Sequence, residues 1–212
     1  MPVMVSFSYH KYDVIDYKTI DPDYGTMEDM RNLVAECHKR GINIIIDLVL
    51  NHTSKYHEWF KQAQQARATG DTANPYYDYY SVKIGNEGGG WYNFATDPNG
   101  NKWVYEGNFS SDMPELNYDN PAVKEAGVDG FRLDAVKYFY FGDDARNVQL
   151  LGWLNDTCKK YNEDVYIVGE NWSNEISVIN YYQSVNCFDF SFADINGAIM
   201  TYVKYGGGSM FS

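Results

Sequence analysis

The chain has 212 residues, a formal net charge of −12 at pH 7, and hydrophobic and charged fractions that are ordinary for a globular protein. Its acidic balance argues against nucleic-acid binding, because phosphate recognition needs a basic face. No apolar run has the length of a membrane span, and Met1-Pro2-Val3-Met4 lacks the basic and apolar regions of a signal peptide.

Aromatic residues make up 17% of the chain, and 20 of them are tyrosines. Such side chains suit stacking on the apolar faces of sugar rings, and they suit any other wet interface equally well. The three cysteines, Cys37, Cys158 and Cys187, fit neither a metal-ligand spacing nor a disulfide framework. We expect them to be small buried hydrophobic residues.

The first 50 residues predict a loop, a helix and a strand. Residues 1–26 are rich in Tyr, Asp, Pro and Gly, which is typical of an ordered loop. A helix is predicted to begin after Thr26 and to end at Gly41. Its apolar residues have helical spacing: Met27, Met30, Leu33, Val34 and Cys37. Residues 42–50 are almost continuously apolar, as in a parallel strand buried on both faces.

The character of the sequence changes over residues 51–120. A helical piece at residues 57–68 is followed by Gly, Asn, Tyr and Trp with little periodicity. An insertion of this length is usually functional, so we interpret it as a small irregular subdomain. The predicted domains are therefore residues 1–50, 51–120 and 121–212.

The last part of the chain alternates strands with helices. Strands are predicted at residues 128–134, 165–169 and 187–192, and helices at residues 144–161 and 175–183. Successive strand–helix units predict an α/β fold, either a (β/α) barrel or a doubly wound sheet.

Polar residues gather where three of the predicted strands end. They are Asp47, Asn51 and His52 on the first; Arg132, Asp134 and Lys137 on the second; and Glu170 and Trp172 on the third. Because a strand has period two, Arg132 and Asp134 should project to the same side. In a barrel the strand ends converge on one face, where the active sites of that fold lie.

Two carboxylates from different strands suggest a division of labour. Asp134 beside Arg132 should stay ionised and could act as a nucleophile, whereas Glu170 near the apolar ring of Trp172 could hold a proton. A retaining glycosidase needs this pair. Each residue alone also fits a structural role, such as a buried ion pair or a turn residue, but their combination favours a site.

The same residues carry a resemblance to the α-amylase family of glycoside hydrolases. Three segments resemble ordered signature regions of that family: Asp47-Leu48-Val49-Leu50-Asn51-His52, Gly130-Phe131-Arg132-Leu133-Asp134-Ala135-Val136-Lys137 and Val168-Gly169-Glu170. Two more resemble its domain B signature and the loop after its second barrel strand: Met113-Pro114-Glu115-Leu116-Asn117, and Tyr12-Asp13 with Tyr24-Gly25-Thr26.

The resemblance implies a (β/α)8 TIM barrel with an inserted domain B, and retaining hydrolysis of α-glucans such as starch or maltooligosaccharides. By motif position, Asp134 would be the nucleophile and Glu170 the general acid/base. Arg132 would hold the nucleophile ionised, and Tyr12, His52 and Trp172 would bind the sugar. Lys137 would lie at the leaving-group side, and Asp47 would support the site from the first strand. Asn51 and Glu115 would be calcium ligands, and oxygen donors on an acidic chain suit Ca²⁺. The family also favours a secreted protein.

The chain also departs from the family. Members have two strands and a helix before the loop that opens this sequence, and they end with a seventh and an eighth strand. The seventh carries an Asn-His-Asp motif whose Asp stabilises the transition state, whereas the one Asn-His here, Asn51-His52, precedes Thr53. Residues 121–127 leave no room for a crossover helix, and Tyr138 replaces a common histidine. The sequence therefore predicts a partial barrel with little or no activity on its own.

Several alternatives remain. One is an α-glucosidase or oligo-1,6-glucosidase, or a transglycosylase, of the same family. Another is a non-catalytic glucan-binding relic that keeps Tyr12, His52 and Trp172. A third is a gene fragment with no independent fold.

Overall fold

The computed structural model describes residues 1–120, 131–160, 163–173, 175–188 and 190. The chain divides into two compact units, Met1–Val128 and Asp129–Ser212. The predicted loss of a crossover helix at residues 121–127 lies outside the described residues, as do the outer parts of two predicted strands, 128–130 and 191–192.

The first unit opens with two antiparallel strands, β1 (Met4–Ser6) and β2 (Val14–Ile20). The prediction that residues 1–26 form a loop is therefore wrong. Val14 is completely buried and Met4 nearly so, and the antiparallel ladder satisfies backbone groups that a loop would expose. Turn-forming residues in the flanking segments obscure this pairing in the sequence.

Helix α1 (Met27–His38) begins as predicted. Thr26 and Asp29 form a capping box, in which the Asp29 N–H donates to Thr26 Oγ1 (3.1 Å) and the Thr26 N–H donates to Asp29 Oδ2 (2.8 Å). The helical spacing of its apolar residues does not correspond to a buried face, because no residue of α1 is buried and Leu33 is 53% exposed.

Strand β3 (Ile46–Leu48) covers only part of the strand predicted over residues 42–50. Leu48 and Val49 are buried, but Ile42 and Ile45 are exposed. The prediction of a long strand buried on both faces is therefore wrong, because only the second half of the apolar run is covered by other residues.

The segment over residues 51–120 is more regular than predicted. It contains α2 (Glu58–Thr69) and an antiparallel sheet in the order β4-β6-β5, formed by β4 (Val82–Ile84), β5 (Trp91–Thr96) and β6 (Lys102–Glu106). These strands are too short for period two to stand out in the sequence.

An aromatic core holds α2 against this sheet. The ring of Phe60 on α2 lies 5.0–5.2 Å from the rings of Tyr80, Phe94 and Tyr105, measured between centroids. Edge-to-face contacts of this kind add to the burial of apolar area. The Tyr80 hydroxyl lies 2.8 Å from Thr53 Oγ1, which fixes the segment after β3 on this core.

The second unit contains a parallel sheet with strand–helix alternation, as predicted. Its described elements are β7 (Phe131–Leu133), a 3-10 turn (Val136–Tyr138), α3 (Asp144–Lys159), β8 (Val168–Gly169), α4 (Glu175–Tyr181) and β9 (Asn186–Cys187). Strand β8 pairs in parallel with β7 on one side and with β9 on the other. Cys158 and Cys187 are buried, whereas Cys37 on α1 is partly exposed, and all three are free thiols.

Candidate active site

A cluster of three charged residues stands at the ends of β7 and β8, and we call it the carboxylate cluster: Arg132, Asp134 and Glu170. Arg132 Nη1 lies 2.9 Å from Asp134 Oδ1, and Arg132 Nη2 lies 2.8 Å from Glu170 Oε2. The side chains are 12–19% exposed. The prediction that Arg132 and Asp134 share one side of the strand is confirmed, and one guanidinium bridges both carboxylates.

The backbone joins the two strand ends that carry the cluster. The Glu170 N–H donates to the Leu133 carbonyl (2.9 Å), and the Val136 N–H donates to the Glu170 carbonyl (3.1 Å). Gly169 suits this close approach, since a Cβ there would lie 3.0 Å from Val136 Cγ1, so that the valine side chain would have to shift. Ala135 adopts φ of 50°, a left-handed conformation that strains a non-glycine residue.

Glu170 contacts Trp172 as predicted, but through a different part of the ring. The indole N–H of Trp172 donates to Glu170 Oε1 (2.9 Å), so the polar edge of the ring, not its apolar face, meets the carboxylate. The ring itself stacks on Phe190, with centroids 4.0 Å apart. Lys137 Nζ donates to the Trp172 carbonyl, which links the two loops that follow β7 and β8.

Asn147 on α3 holds the loop that carries Lys137. Its amide donates to the carbonyls of Lys137 (3.0 Å) and Tyr140 (3.2 Å) and accepts from the Tyr140 N–H (2.8 Å). Asn147 is completely buried. Sequence reasoning did not select it, although a polar residue next to the apolar register of a helix is a usable signal.

Asn171 follows Glu170 directly and was also not selected. It is buried, and neither its amide nitrogen nor its amide oxygen has a hydrogen-bond partner in the described part of the chain. Unpaired buried amides are uncommon, because each costs the free energy of its lost hydration.

The first unit holds the other predicted site residues. Tyr12 Oη donates to Asp47 Oδ2 (3.0 Å), and the amino group of Met1 lies 3.1 Å from the same oxygen. Tyr17, which sequence reasoning did not select, donates its hydroxyl to the carbonyls of Val49 (2.7 Å) and His52 (3.1 Å). Tyr17 therefore fixes the backbone that presents His52.

His52 is 1% exposed, and its Nε2 has no hydrogen-bond partner among the described residues. Burial lowers the pKa of this imidazole to about 4, so it is neutral at pH 7. The ring of Phe109 lies 5.2 Å away between centroids. A neutral, buried ring nitrogen without a partner is suited to a hydrogen bond with a ligand hydroxyl.

Asn51 and Glu115, the predicted calcium ligands, are in contact. The Asn51 amide donates to Glu115 Oε2, and the Asn108 N–H donates to Glu115 Oε1 (3.2 Å). Asn51 Oδ1 is buried and has no hydrogen-bond partner in the described ranges of the chain, which fits a cation ligand, but burial also raises the pKa of the Glu115 carboxyl well above its usual range. Among the described residues, no group of three or more His, Cys, Asp or Glu could hold a metal ion.

A bridged pair of carboxylates at the ends of parallel strands is the constellation expected of a barrel glycoside hydrolase. Residues 1–200 match the family model for the α-amylase catalytic domain. The chain therefore belongs to the α-amylase family, and the resemblance drawn from its motifs is confirmed.

Individual relatives agree with this assignment. α-Amylase 3 of Dictyoglomus thermophilum is 41% identical over 92% of this chain and 40% of its own length. A solved structure, Eubacterium rectale Amy13B, has a TM-score of 0.86 and 40% identity, and the match covers 96% of this chain and 42% of that one. The fold is therefore part of a (β/α)8 barrel, and the chain spans about two-fifths of these relatives.

Other relatives have different names at similar identity. An oligo-1,6-glucosidase of Halalkalibacterium halodurans is 36% identical over 60% of this chain and 25% of its own length. The amino acid transporter heavy chain SLC3A1 of Rattus norvegicus is 36% identical over 72% of this chain and 25% of its own length. Family membership alone therefore does not fix the activity.

In the described part of the chain, no helix is long and apolar enough to cross a membrane.

Proposed function

We propose that this chain carries the catalytic pair of a retaining α-glucan hydrolase of the α-amylase type. The observation that supports this most is the carboxylate cluster, in which Arg132 contacts both Asp134 and Glu170 at neighbouring strand ends. A guanidinium in this position keeps the Asp134 carboxylate oriented and available as a nucleophile.

The proposed reaction has two steps. Asp134 attacks the anomeric carbon of the glucosyl residue while Glu170 gives a proton to the departing glycosidic oxygen, which forms a covalent glycosyl-enzyme. Glu170 then removes a proton from water, and the water oxygen displaces Asp134 with net retention. Trp172 orients Glu170 through its indole N–H, and Lys137 lies on the loop that would face the leaving group.

The sugar-binding part of the proposal rests on the first unit. His52 Nε2 would accept a hydrogen bond from a glucosyl hydroxyl or donate one to it. Tyr12, oriented by Asp47, would stack on the sugar ring. Calorimetric titration of the 212-residue chain with maltoheptaose tests the substrate class. We expect saturable binding, and the absence of any binding contradicts the proposal.

Linkage preference is tested by products. A form completed with the remaining barrel strands is expected to cut maltoheptaose internally if it acts as an α-amylase. Release of single glucose units, or cleavage of isomaltose, would instead support the α-glucosidase or oligo-1,6-glucosidase alternative. Longer products than the substrate would support a transglycosylase.

The 212-residue chain alone is proposed to hydrolyse little or no starch, because its sequence lacks the Asn-His-Asp motif that supplies the family's third carboxylate. Release of reducing sugar from soluble starch by the purified chain tests this. Hydrolysis well above that of an Asp134→Asn variant contradicts it.

A second candidate is a non-catalytic glucan-binding protein. One relative of this chain is named as an amino acid transporter heavy chain and not as a hydrolase, so similarity within the family does not by itself imply hydrolysis. Maltoheptaose binding by the chain, together with no turnover by a completed form, would support it. The remaining alternative, a fragment without an independent fold, predicts no cooperative thermal unfolding transition.

We also propose that Asn51 and Glu115 supply two oxygen ligands to Ca²⁺. The support is Asn51 Oδ1, which is buried with no hydrogen-bond partner among the described residues, on an amide whose nitrogen contacts the Glu115 carboxyl. The ion would neutralise Glu115 and tie the segment after β3 to the segment around residue 115, which is a structural contribution.

A further inference from the structure

Two exposed aromatic side chains of the first unit contact each other, and we call them the Phe7–Tyr56 pair. Phe7 follows β1 and is 66% exposed, and Tyr56 lies between β3 and α2 and is 38% exposed. Their ring centroids are 4.8 Å apart and their planes are inclined by 44°. Single exposed apolar residues are common, but an exposed pair of rings in contact forms a surface feature.

The loop that carries Phe7 is fixed by its own hydrogen bonds. The Ser8 N–H donates to both carboxylate oxygens of Asp13, at 3.1 and 3.2 Å. The Ser6 hydroxyl donates to the Lys11 carbonyl at 3.0 Å. The same loop carries Tyr12, so Phe7 and the proposed sugar-stacking residue share one constrained segment.

The loop that carries Tyr56 is held in the same way. The Ser54 N–H donates to the Val14 carbonyl (2.8 Å), the Lys55 N–H to the Asp112 carbonyl (3.0 Å), and the Tyr56 N–H to Ser54 Oγ (3.2 Å). This loop also carries His52. The backbone that carries both rings is therefore held in place before any ligand arrives, which lowers the entropy cost of binding.

A charged pair lies next to Tyr56, with the Lys55 ammonium over the Tyr56 ring. Lys55 Nζ lies 2.6 Å from Asp112 Oδ1 and 5.3 Å from the centroid of the Tyr56 ring, and both charged side chains are partly exposed. A sugar ring presents an apolar face and an edge of hydroxyl groups. The two rings offer apolar area for the first feature, and the ammonium over Tyr56 and the carboxylate paired with it offer hydrogen-bonding groups for the second.

We propose that the Phe7–Tyr56 pair is an additional subsite for an α-glucan. The two rings would stack on successive glucose units, and Lys55 and Asp112 would hydrogen-bond their hydroxyls. Because an α-1,4-linked chain turns from one unit to the next, two inclined rings match it better than they match a flat β-linked chain. The choice of ligand rests on the proposed function, whereas the subsite rests on the contacts of the pair.

The test is calorimetric titration of the 212-residue chain with maltoheptaose and, separately, with cellohexaose. Phe7→Leu and Tyr56→Leu keep apolar area but remove the flat ring, and we expect each to weaken maltoheptaose binding about three- to tenfold. Ile84→Ala is the matched control, because it removes an exposed apolar side chain of the same unit on β4 and should leave the affinity unchanged.

The outcomes separate the two proposals. Wild-type affinity for maltoheptaose in both leucine variants, with circular dichroism showing that they are folded, overturns the subsite and leaves the proposed function standing. Cellohexaose binding as tight as maltoheptaose binding overturns the α-glucan assignment. If the unchanged chain binds neither sugar, both the subsite and the proposed substrate class fail.

Discussion

The carboxylate cluster and the polar residues around His52 satisfy their polar groups in opposite ways. In the cluster, Arg132 pairs with Asp134 and Glu170, and Trp172 adds a further hydrogen bond to Glu170. Around His52, two buried atoms, His52 Nε2 and Asn51 Oδ1, have no hydrogen-bond partner in the part of the chain that the structure describes.

The two regions would therefore bind a ligand in different ways. The cluster holds charge in place by internal pairing, which is how a site prepares electrostatic stabilisation. Around His52, buried polar atoms have no hydrogen-bond partner among the described residues, so a ligand hydroxyl or a cation that reaches them supplies the missing hydrogen bond or coordination. Stability should therefore depend on partners inside the cluster, and on ligands and pH around His52.

The largest effect is expected from Arg132→Met. This change leaves two neighbouring carboxylates without their shared cation, and we expect it to lower the free energy of unfolding by about 3–5 kcal/mol. Urea denaturation measures this. Arg40→Met removes an exposed ion pair with Glu36 and should change little.

A triple variant makes the first prediction specific. With Asp134→Asn and Glu170→Gln already present, removal of the Arg132 charge should cost much less, because no carboxylates remain to repel each other. An equal cost in both backgrounds would contradict the bridging role of Arg132.

Acid should destabilise the chain through His52. Its pKa falls from 6.5 to about 4 on folding, so the unfolded state binds more protons between these values. The contribution of His52 to the free energy of unfolding is therefore complete above pH 6.5. It is lost as the pH falls towards 4, and the total loss is about 3 kcal/mol. His57 behaves in the same direction, because burial lowers its pKa to about 4.

Unfolding free energies measured from pH 7 to pH 4 check this. His52→Gln should reduce the slope in this range and leave the part due to His57. An unchanged slope in the variant would show that His52 is protonated in the folded state, against its burial.

Calcium should stabilise the first unit. At a Ca²⁺ concentration about 100-fold above its dissociation constant, the free energy of unfolding should rise by roughly 2.7 kcal/mol. Differential scanning calorimetry with and without Ca²⁺ measures this. Asn51→Ala should abolish the shift, and an equal shift in that variant or no shift in the unchanged chain would remove the proposed site.

The smallest effect is expected in sugar affinity. His52→Ala removes one hydrogen bond to a glucosyl hydroxyl and should weaken maltoheptaose binding about tenfold, or roughly 1.4 kcal/mol. Calorimetric titration checks this. Ile84→Ala, which removes an exposed side chain on β4, serves as a control that should bind like the unchanged chain.

Local rules predicted the helices well. The capping box at Thr26 and the apolar spacing gave α1, and α3 ends within two residues of the prediction for residues 144–161. Strands were less predictable, because β1 and β2 depend on pairing with each other across turn-rich sequence. The exposure of α1 depends on which other elements lie against the helix, and the local spacing of its apolar residues does not encode this.

In the site, too, features that depend on local sequence were predicted, whereas contacts between separate elements were not. Strand period two placed Arg132 and Asp134 on one side, as the structure confirms. The contact of Arg132 with Glu170, the indole N–H of Trp172 on that carboxylate and the anchoring by Asn147 join residues from separate elements. No local pattern specifies such contacts, so they required the structure.

The most direct test of the proposed catalytic pair is a chimera in which residues 1–200 replace the matching part of the Dictyoglomus α-amylase. We expect the chimera to hydrolyse starch and to release the α-anomer first, as followed by NMR. Asp134→Asn in the chimera should lower kcat at least about a thousandfold with little change in KM. A folded Asp134→Asn chimera that hydrolyses starch as fast as the unchanged chimera would contradict the role of Asp134 as the nucleophile.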